Sequence, residues 1–496
     1  MKKIFFFSFI LASISISAQQ KNTLLDAEFW KKSPDVATVK AEIAKGNSAT
    51  AFNPFSFDAT TLAINNDAPN ETIKYLAELD GNGVKKITHD TRIYLHWAAY
   101  KGNAEMVNYF LAKGSDTNFQ DSHGNTPISF GAANGLNNTA VYDAFFSAGV
   151  DPKTKYDGVS LLLLAVAYDT KELTLSNYFV AKGLSLKYTD TQGKTAIDYT
   201  ARSGNIEVIK ALQEKGVKHT DNALIMAAQG TRRGANSLDV YKYLLGELKI
   251  KATATGTDGE TVLHYLVRKP NQEEIIAYFL GKGVDVNTVD KNGNTALISA
   301  AGGKNLAVVE QLLPKVKDIN LKNAKGESAL TAAIKSGSAE IAALLINKGA
   351  DVNVTDKDGN NLAYYLIHSY RPPGGAGAAK QDDFSGKMKL LQDKGFNFAA
   401  TQKDGSTLYH LAVSKNDLEL VKKVAALKPD INAKNSEGLT ALHKAALLAK
   451  DDETLKYLIS LGAKKDVVTE FDETAYALAK ENEYLAKNNI SVDFLK

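Results

Sequence analysis

The stretch Asp290-Lys291-Asn292-Gly293-Asn294-Thr295-Ala296-Leu297 decides the fold because it returns elsewhere in the chain with the same spacing of Gly, small and apolar residues. Two counterparts are Asn323-Ala324-Lys325-Gly326-Glu327-Ser328-Ala329-Leu330 and Asn435-Ser436-Glu437-Gly438-Leu439-Thr440-Ala441-Leu442. A period of about 20 to 50 residues is typical of solenoids, propellers and other repeat arrays. The internal repeat therefore has to be traced before domains are counted.

A single apolar position in each copy marks the register of the repeat. Its thirteen occurrences are Leu62, Leu95, Ile128, Leu162, Ile197, Leu224, Leu263, Leu297, Leu330, Ala363, Tyr409, Leu442 and Tyr476. Most steps are 33 to 35 residues, a step of 27 precedes one of 39, and the step of 46 contains an insertion of 13. Length alone, at roughly 150 residues per domain, suggests three domains. The period predicts one array of stacked units instead.

The motif can be explained position by position. Asp290 stands three residues before Gly293, which is typical of a type I turn. Thr295 is placed to cap a first helix with its hydroxyl. A second helix then ends at Lys-Gly, as at Lys348-Gly349, where a cation faces the helix C-terminus and glycine accepts a positive φ.

These residues resemble the ankyrin repeat, whose pattern runs Asp-x-x-Gly-x-Thr-Pro-Leu-His-x-Ala-Ala. The best matches are 259–287 and 337–353, and the resemblance extends over about 24–485. It implies an all-α solenoid of helix–loop–helix units with β-hairpin turns, in a single elongated curved domain. The expected division is an N-terminal capping unit at 19–57, about 12 repeats at 58–471 and a C-terminal capping unit at 472–496.

Residues 1–18 have the pattern of a secretory signal peptide. Lys2 and Lys3 precede the apolar stretch from Ile4 to Ile16, and Ala18 is the expected cleavage site. A membrane anchor or a buried helix is the alternative, although the run is shorter than the roughly 20 residues that span a bilayer. The junction resembles that of exported Bacteroidetes proteins. We expect a periplasmic protein without stable membrane insertion after cleavage, with an extracellular location as the alternative.

Composition excludes several classes of function. The 59 basic and 56 acidic residues leave a net charge of +3, which argues against a nucleic-acid-binding protein. The absence of cysteine excludes disulfides, thiolate nucleophiles and thiolate zinc sites. The sequence contains no Gly-x-Ser-x-Gly and no His-Glu-x-x-His motif. We therefore expect no enzymatic activity, no metal and no cofactor.

Four of the eight histidines occupy the histidine position of the repeat: His96, His264, His410 and His443. The resemblance implies that each bonds the backbone of a neighbouring unit, which is a structural role. A row of tyrosines in the second helices shares one position: Tyr75, Tyr109, Tyr178, Tyr243, Tyr278 and Tyr457. We interpret these as packing residues rather than as platforms for stacking a ligand.

The resemblance also implies a protein partner, bound on the concave surface that hairpin tips and first helices form. The candidate contact residues are Tyr100, Lys101, Arg202, Arg268, Lys269, Lys291, Asn292, Lys325, Lys335, Lys357, Lys403 and Lys415. This set is mostly basic and would favour an acidic segment of the partner. The alternative is ordinary solubilising surface. We expect the protein to be a monomer.

Three connections between helices are longer or irregular, at 134–139, 230–234 and 369–386. Tolerated loop growth explains them, and contact loops on a rigid scaffold are the alternative. Two other functions therefore stay open. One is a small-ligand binder or enzyme accessory that uses 369–386, and the other is a mechanical spacer in the envelope.

Overall fold

The computed structural model describes residues 22–232, 234–372 and 383–496. Within these ranges the chain alternates between two helices in each repeat. The first helices are Ala59–Asn65, Tyr94–Lys101, Pro127–Ala133, Leu161–Ala165, Ala196–Ala201, Asn222–Gln229, Val262–Leu266, Ala296–Ala301, Ala329–Lys335, Leu362–Ser369, Leu408–Val413, Ala441–Leu448 and Ala475–Glu481. Every register position predicted from the sequence lies in one of these helices, which confirms the all-α ankyrin solenoid.

The second helices follow the first ones after short connections. They are Asn70–Ala77, Ala104–Ala112, Thr139–Ser147, Thr174–Ala181, Ile206–Glu214, Leu238–Gly246, Glu273–Gly281, Leu306–Leu312, Ala339–Asn347, Asp383–Asp393, Leu418–Ala425, Glu453–Ser460 and Glu483–Lys487. Two further helices, Ala27–Trp30 and Val36–Ala44, precede the first register position. Short 3-10 turns occur at Thr23–Leu25, His89–Thr91, Val166–Tyr168, Leu313–Lys315 and Asp493–Leu495.

Contacts divide the chain into two compact units. One unit extends to Ala196 and includes Lys210–Val217, and the other consists of Ile197–Ile209 and Lys218–Lys496. Each unit has its own core of leucine, isoleucine, valine and alanine from both rows of helices. We refer to them below as the first and the second unit.

The first helices form because their start is capped and their inner face is apolar. Thr126 accepts a hydrogen bond from the backbone N–H of Ser129, and Thr295 accepts one from Ile298 at 3.2 Å. All register positions are buried except Tyr476, which is half-buried. Stacking of neighbouring repeats therefore buries a face that no single repeat could bury alone.

The predicted type I turns are confirmed at the hairpin tips. The N–H of Gly293 donates to the Asp290 carbonyl at 2.8 Å, and the N–H groups of Asn292 and Asn294 donate to Asp290 Oδ1. In the described residues, regular strands occur only at Lys155–Tyr156 and Val159–Ser160, which pair antiparallel. The expected β-hairpins are thus mostly tight turns.

Candidate functional site

The hairpin tips of the second unit are joined to one another by backbone hydrogen bonds. Lys291 N–H donates to the Asp258 carbonyl at 2.7 Å, and Lys357 N–H donates to the Lys325 carbonyl at 2.9 Å. The carbonyl of Asn292 accepts from the next tip at 2.7 Å. Four of the predicted contact residues, Lys291, Asn292, Lys325 and Lys357, therefore lie on consecutive tips of a continuous ladder.

The histidines of the repeat fasten each first helix to the following tip. The Nε2 atom lies 3.0 Å from the Asn294 carbonyl at His264 and 2.8 Å from the Leu439 carbonyl at His410. Nε2 must carry the proton, because a carbonyl can only accept a hydrogen bond. At His410, Nδ1 then accepts from the backbone N–H of Thr407 at 3.1 Å. The structural role predicted for these histidines is confirmed.

Burial keeps the imidazoles of His96, His410 and His443 neutral. Desolvation lowers the pKa of His410 and of His443, and it outweighs the hydrogen bonds to backbone carbonyls that act in the opposite direction. At His96, burial lowers the pKa to about 4. Each of these rings is buried and holds the following tip in place through the hydrogen bond of its Nε2 atom.

A polar groove of about 480 Å³ lies beside the tips of the second unit, between first helices of successive repeats. Small residues, Ser299, Gly302 and Ala332, contribute to its lining. Two of the predicted contact residues, Arg268 and Lys335, line it as well. The groove is therefore the place in the second unit where predicted residues from different repeats come together around one open volume.

Three carboxylates also line this groove, and the sequence did not single them out as contacts: Glu260, Asp290 and Glu327. Glu260 accepts hydrogen bonds from the Tyr265 hydroxyl at 2.9 Å and from the Asp258 N–H at 3.0 Å. Glu260 and Glu327 directly precede the capping residue in their repeats. That shared position was the signal in the sequence, because equivalent repeat positions lie on the same face.

Two of the predicted lysines are already paired within the second unit. Lys291 Nζ lies 2.7 Å from Asp258 Oδ2, and this hydrogen bond raises the pKa of Lys291. Lys335 Nζ lies 2.9 Å from Glu327 Oε1. Burial raises the pKa of Glu327, but the hydrogen bonds that it accepts from Lys335 and Asn323 lower it further, below its usual value. The positive charges of Lys291 and Lys335 are therefore each balanced by a carboxylate of the second unit.

Other predicted residues of the second unit have different surroundings. Arg202 Nε donates to the Gly230 carbonyl at 3.2 Å. Burial, together with repulsion from Arg202, lowers the pKa of Lys269. Burial and Arg371 act in the same way on the pKa of Lys415. Lys403 is exposed on the tip that follows Lys357.

Tyr100 and Lys101 belong to the first unit. Tyr100 is 39% exposed, and its ring centroid lies 5.5 Å from that of Phe130. Lys101 Nζ contacts Asp67 Oδ2 at 2.7 Å and is held to the preceding repeat. These two residues occupy the same repeat positions in the first unit as Arg268 and Lys269 occupy in the second.

Two of the second-helix tyrosines, Tyr109 and Tyr178, bind a carboxylate in addition to packing. The Tyr178 hydroxyl donates to Asp143 Oδ1 at 2.8 Å, and Lys182 Nζ contacts the same oxygen at 2.7 Å. Tyr109 and Lys113 bind Glu78 in the same way, each at 2.9 Å. The tyrosine and the lysine one turn later therefore clamp a carboxylate of the preceding repeat.

Four predicted features lie wholly or partly outside the described residues. These residues are the signal peptide at 1–18, the start of the N-terminal capping unit at 19–21, position 233 of the 230–234 connection, and 373–382 of the 369–386 connection. Among the residues that are described, no group of three or more His, Asp or Glu side chains is arranged to hold a metal ion. The helices of the described ranges are all too short or too polar to cross a membrane.

Comparison with known proteins gives a family. The family model of ankyrin repeats, three copies, matches residues 60–156, 263–356 and 377–469, which together are more than half of the chain. An ankyrin repeat protein of fowlpox virus is 29% identical over 33% of this chain and 27% of its own length. A palmitoyltransferase of Lachancea kluyveri is 28% identical over 39% of this chain and 27% of its own length.

An ankyrin repeat protein of variola virus is 24% identical over 42% of this chain and 37% of its own length. The chain thus spans between about a quarter and two fifths of the length of these relatives. The similarity concerns the repeats and does not extend to the remainder of those proteins.

Proposed function

The chain belongs to the ankyrin repeat family, and from this membership we propose that it is a non-enzymatic scaffold that binds a protein partner. Ankyrin repeats generally mediate protein–protein interaction and generally lack enzymatic activity. The binding surface is the one formed by the hairpin tips and first helices of the second unit. The observation that supports this choice most is the groove of about 480 Å³, which residues of several repeats line jointly.

The charges on the tips indicate what the partner offers. Lys325, Lys357 and Lys403 are exposed on consecutive tips, and no ion pair involves them within the described ranges. An acidic segment of the partner would neutralise these lysines, whereas Lys291 and Lys335 are already neutralised within the chain. Exposed charges of this kind mainly accelerate association and lose their effect at high salt.

Crosslinking with mass spectrometry in the native envelope would identify the partner. The purified partner is then titrated against wild type and against a Lys325→Glu, Lys357→Glu, Lys403→Glu variant. We expect the variant to bind at least about tenfold more weakly at low salt, mostly through slower association. The control variant, Lys218→Glu, Lys251→Glu, Lys464→Glu, changes the net charge equally at exposed positions after second helices. Equal loss in both variants, or no loss in the first, contradicts the proposed surface.

We also propose that the protein works in the periplasm. Support comes from the charged start, the short apolar run and the small residue at position 18. Cell fractionation and mass spectrometry of the mature N-terminus test this. We expect a periplasmic protein that starts at Gln19, and a cytosolic protein that retains Met1 would contradict the proposal.

A further inference from the structure

Second helices of this array normally end in a turn that packs an inward-facing residue against the last turn of the helix. At Gly349 the backbone adopts a positive φ of 99°. The next residue, Ala350, turns inward, is only 6% exposed, and donates its N–H to the Leu345 carbonyl at 2.9 Å. We call a residue in this place the plug residue. Its apolar contact with the last helical turn is a usual part of such a helix end.

The helix Leu306–Leu312 ends differently. Lys315-Val316-Lys317 stands where the following repeat has Lys348-Gly349-Ala350, and Pro314 lies in the last turn. The chain leaves the helix through the 3-10 turn Leu313–Lys315, and Val316 N–H bonds the Leu313 carbonyl, only three residues back. None of these residues has a positive φ.

The absence of glycine alone does not explain this end. Three other second helices of the same unit also lack glycine at this place, and there Lys249, Lys428 and Asn489 take positive φ values of 56°, 51° and 54°. At Lys315-Val316-Lys317 a β-branched residue occupies the turn, and such residues strongly resist a positive φ. The plug residue is therefore not formed, and Val316 stays half-buried at the surface.

The consequence is a groove of about 670 Å³ between this repeat and the next one, which both apolar and charged side chains line. Its apolar lining comes from Leu313, Pro314, Val316, Ile319 and Leu344. This volume falls in the range of roughly 300 to 1,000 Å³ that is usual for small-molecule sites. The groove belongs to the second-helix side of the repeats, whereas the tips and first helices form the proposed partner surface.

The charges at the groove favour a negatively charged ligand. Lys317 and Lys348 line it, against one carboxylate, that of Glu310. The side chain of Lys317 is 79% exposed, and its Nζ lies 3.9 Å from Asp285 Oδ2. Lys348 is exposed and forms no ion pair within the described residues. Five apolar side chains beside two ammonium groups are complementary to a molecule with an apolar chain and an anionic head.

We propose that this groove binds an anionic amphiphile of the fatty-acid type. Its acyl chain lies along Leu313, Val316 and Leu344, and its carboxylate pairs with Lys317 and Lys348. The site arises from the departure of one repeat from the pattern of the others. It is therefore independent of the partner surface, and neither proposal depends on the other.

Equilibrium dialysis of the full chain against radiolabelled decanoate, below its micelle concentration, tests the site. The variant Val316→Gly, Lys317→Ala restores the Lys-Gly-Ala of the following repeat and should form the plug residue. We expect decanoate binding to fall at least tenfold, and further than in Lys317→Ala alone, while the thermal unfolding temperature stays the same or rises. Leu344→Trp fills the groove from the neighbouring repeat and serves if the first variant does not fold.

Two further arms separate charge from apolar contact. Decyltrimethylammonium carries the same chain with a positive head and should bind at least tenfold more weakly than decanoate. Lys317→Glu, Lys348→Glu should reverse this preference, whereas the matched control Lys251→Glu, Lys464→Glu should not. The proposal is overturned if decanoate does not bind, if the restored plug leaves its affinity unchanged, or if the cationic amphiphile binds equally well.

Discussion

Ile93 stands three residues before His96, in the position that Thr407 occupies before His410, and it offers the imidazole no hydroxyl. The Nδ1 atom of His96 is buried without a hydrogen-bond partner in the described part of the chain. Its Nε2 lies 3.1 Å from the Asn125 carbonyl. The same residue type at the same repeat position is therefore fully bonded in one repeat and only half bonded in another.

This difference predicts that replacing His410 lowers the free energy of unfolding more than replacing His96 by the same residue. His410→Leu leaves the Leu439 carbonyl and the backbone N–H of Thr407 without partners, whereas His96→Leu leaves only the Asn125 carbonyl. Each buried polar group left unpaired costs about 1 to 3 kcal/mol. We expect His410→Leu to cost more, by about 2 kcal/mol, in the free energy of unfolding measured with urea. Equal costs for the two variants would contradict the hydrogen-bonding assignment.

The lowered pKa of His96 predicts a loss of stability in weak acid. Burial holds its pKa in the folded state at about 4, below the ordinary histidine value of 6.5. Between these values the unfolded chain binds more protons, so stability is complete above pH 6.5 and falls as the pH approaches 4. At about 1.36 kcal/mol per pKa unit, the loss is about 3 kcal/mol. The decrease in the free energy of unfolding with falling pH should be smaller in His96→Leu than in the wild type. Identical pH profiles for these two proteins would exclude His96 as the source of the decrease.

The close approach of two first helices predicts that Gly337 tolerates no side chain. A Cβ at this position would collide with the carbonyl oxygen of Ala301 and lie 2.9 Å from Ala333 Cα, both of them backbone atoms. We expect Gly337→Ala to lower the free energy of unfolding by about 1 to 3 kcal/mol. Gly281→Ala is the matched control, because a Cβ there meets no atom within 4 Å. If Gly337→Ala and Gly281→Ala change the free energy of unfolding equally, the contact with Ala301 does not explain the loss of stability.

The clamp on Asp143 predicts a modest, salt-dependent contribution to stability. Burial and the hydrogen bond to Asp143 raise the pKa of Tyr178, and Lys182 lowers the pKa of Asp143. Because the side chains of Lys182 and Asp143 are 36% and 49% exposed, solvent screens the pair. We expect Asp143→Asn to cost about 0.5 to 1 kcal/mol at low salt and less in 1 M salt.

A double-mutant cycle with Tyr178→Phe separates the hydroxyl from the ammonium in this clamp. The two substitutions should cost less together than the sum of their separate costs, because both remove the same hydrogen bond. Strict additivity would show that Tyr178 and Asp143 do not interact in solution.

The polar groove of the second unit illustrates which contacts could not be predicted from the sequence. The sequence placed Arg268 and Lys335 on one face, because equivalent repeat positions share a face. It did not show that Lys335 forms an ion pair with Glu327 or that Lys291 forms one with Asp258. The Lys291–Asp258 pair joins residues from different repeats, and their distance is set by how closely those repeats pack.

The sequence by itself determined the repeat, its register and the caps of the first helices, because each depends on residues a few positions apart and on a constant period. The role of His264, His410 and His443 was implied by the resemblance to the ankyrin repeat. Only the tertiary structure decided the pairing of the lysines, the unsatisfied Nδ1 of His96 and the groove beside Val316. These depend on what one repeat presents to the next across about 30 residues of chain. Small departures such as Ile93 and Val316 alter that contact without disturbing the pattern.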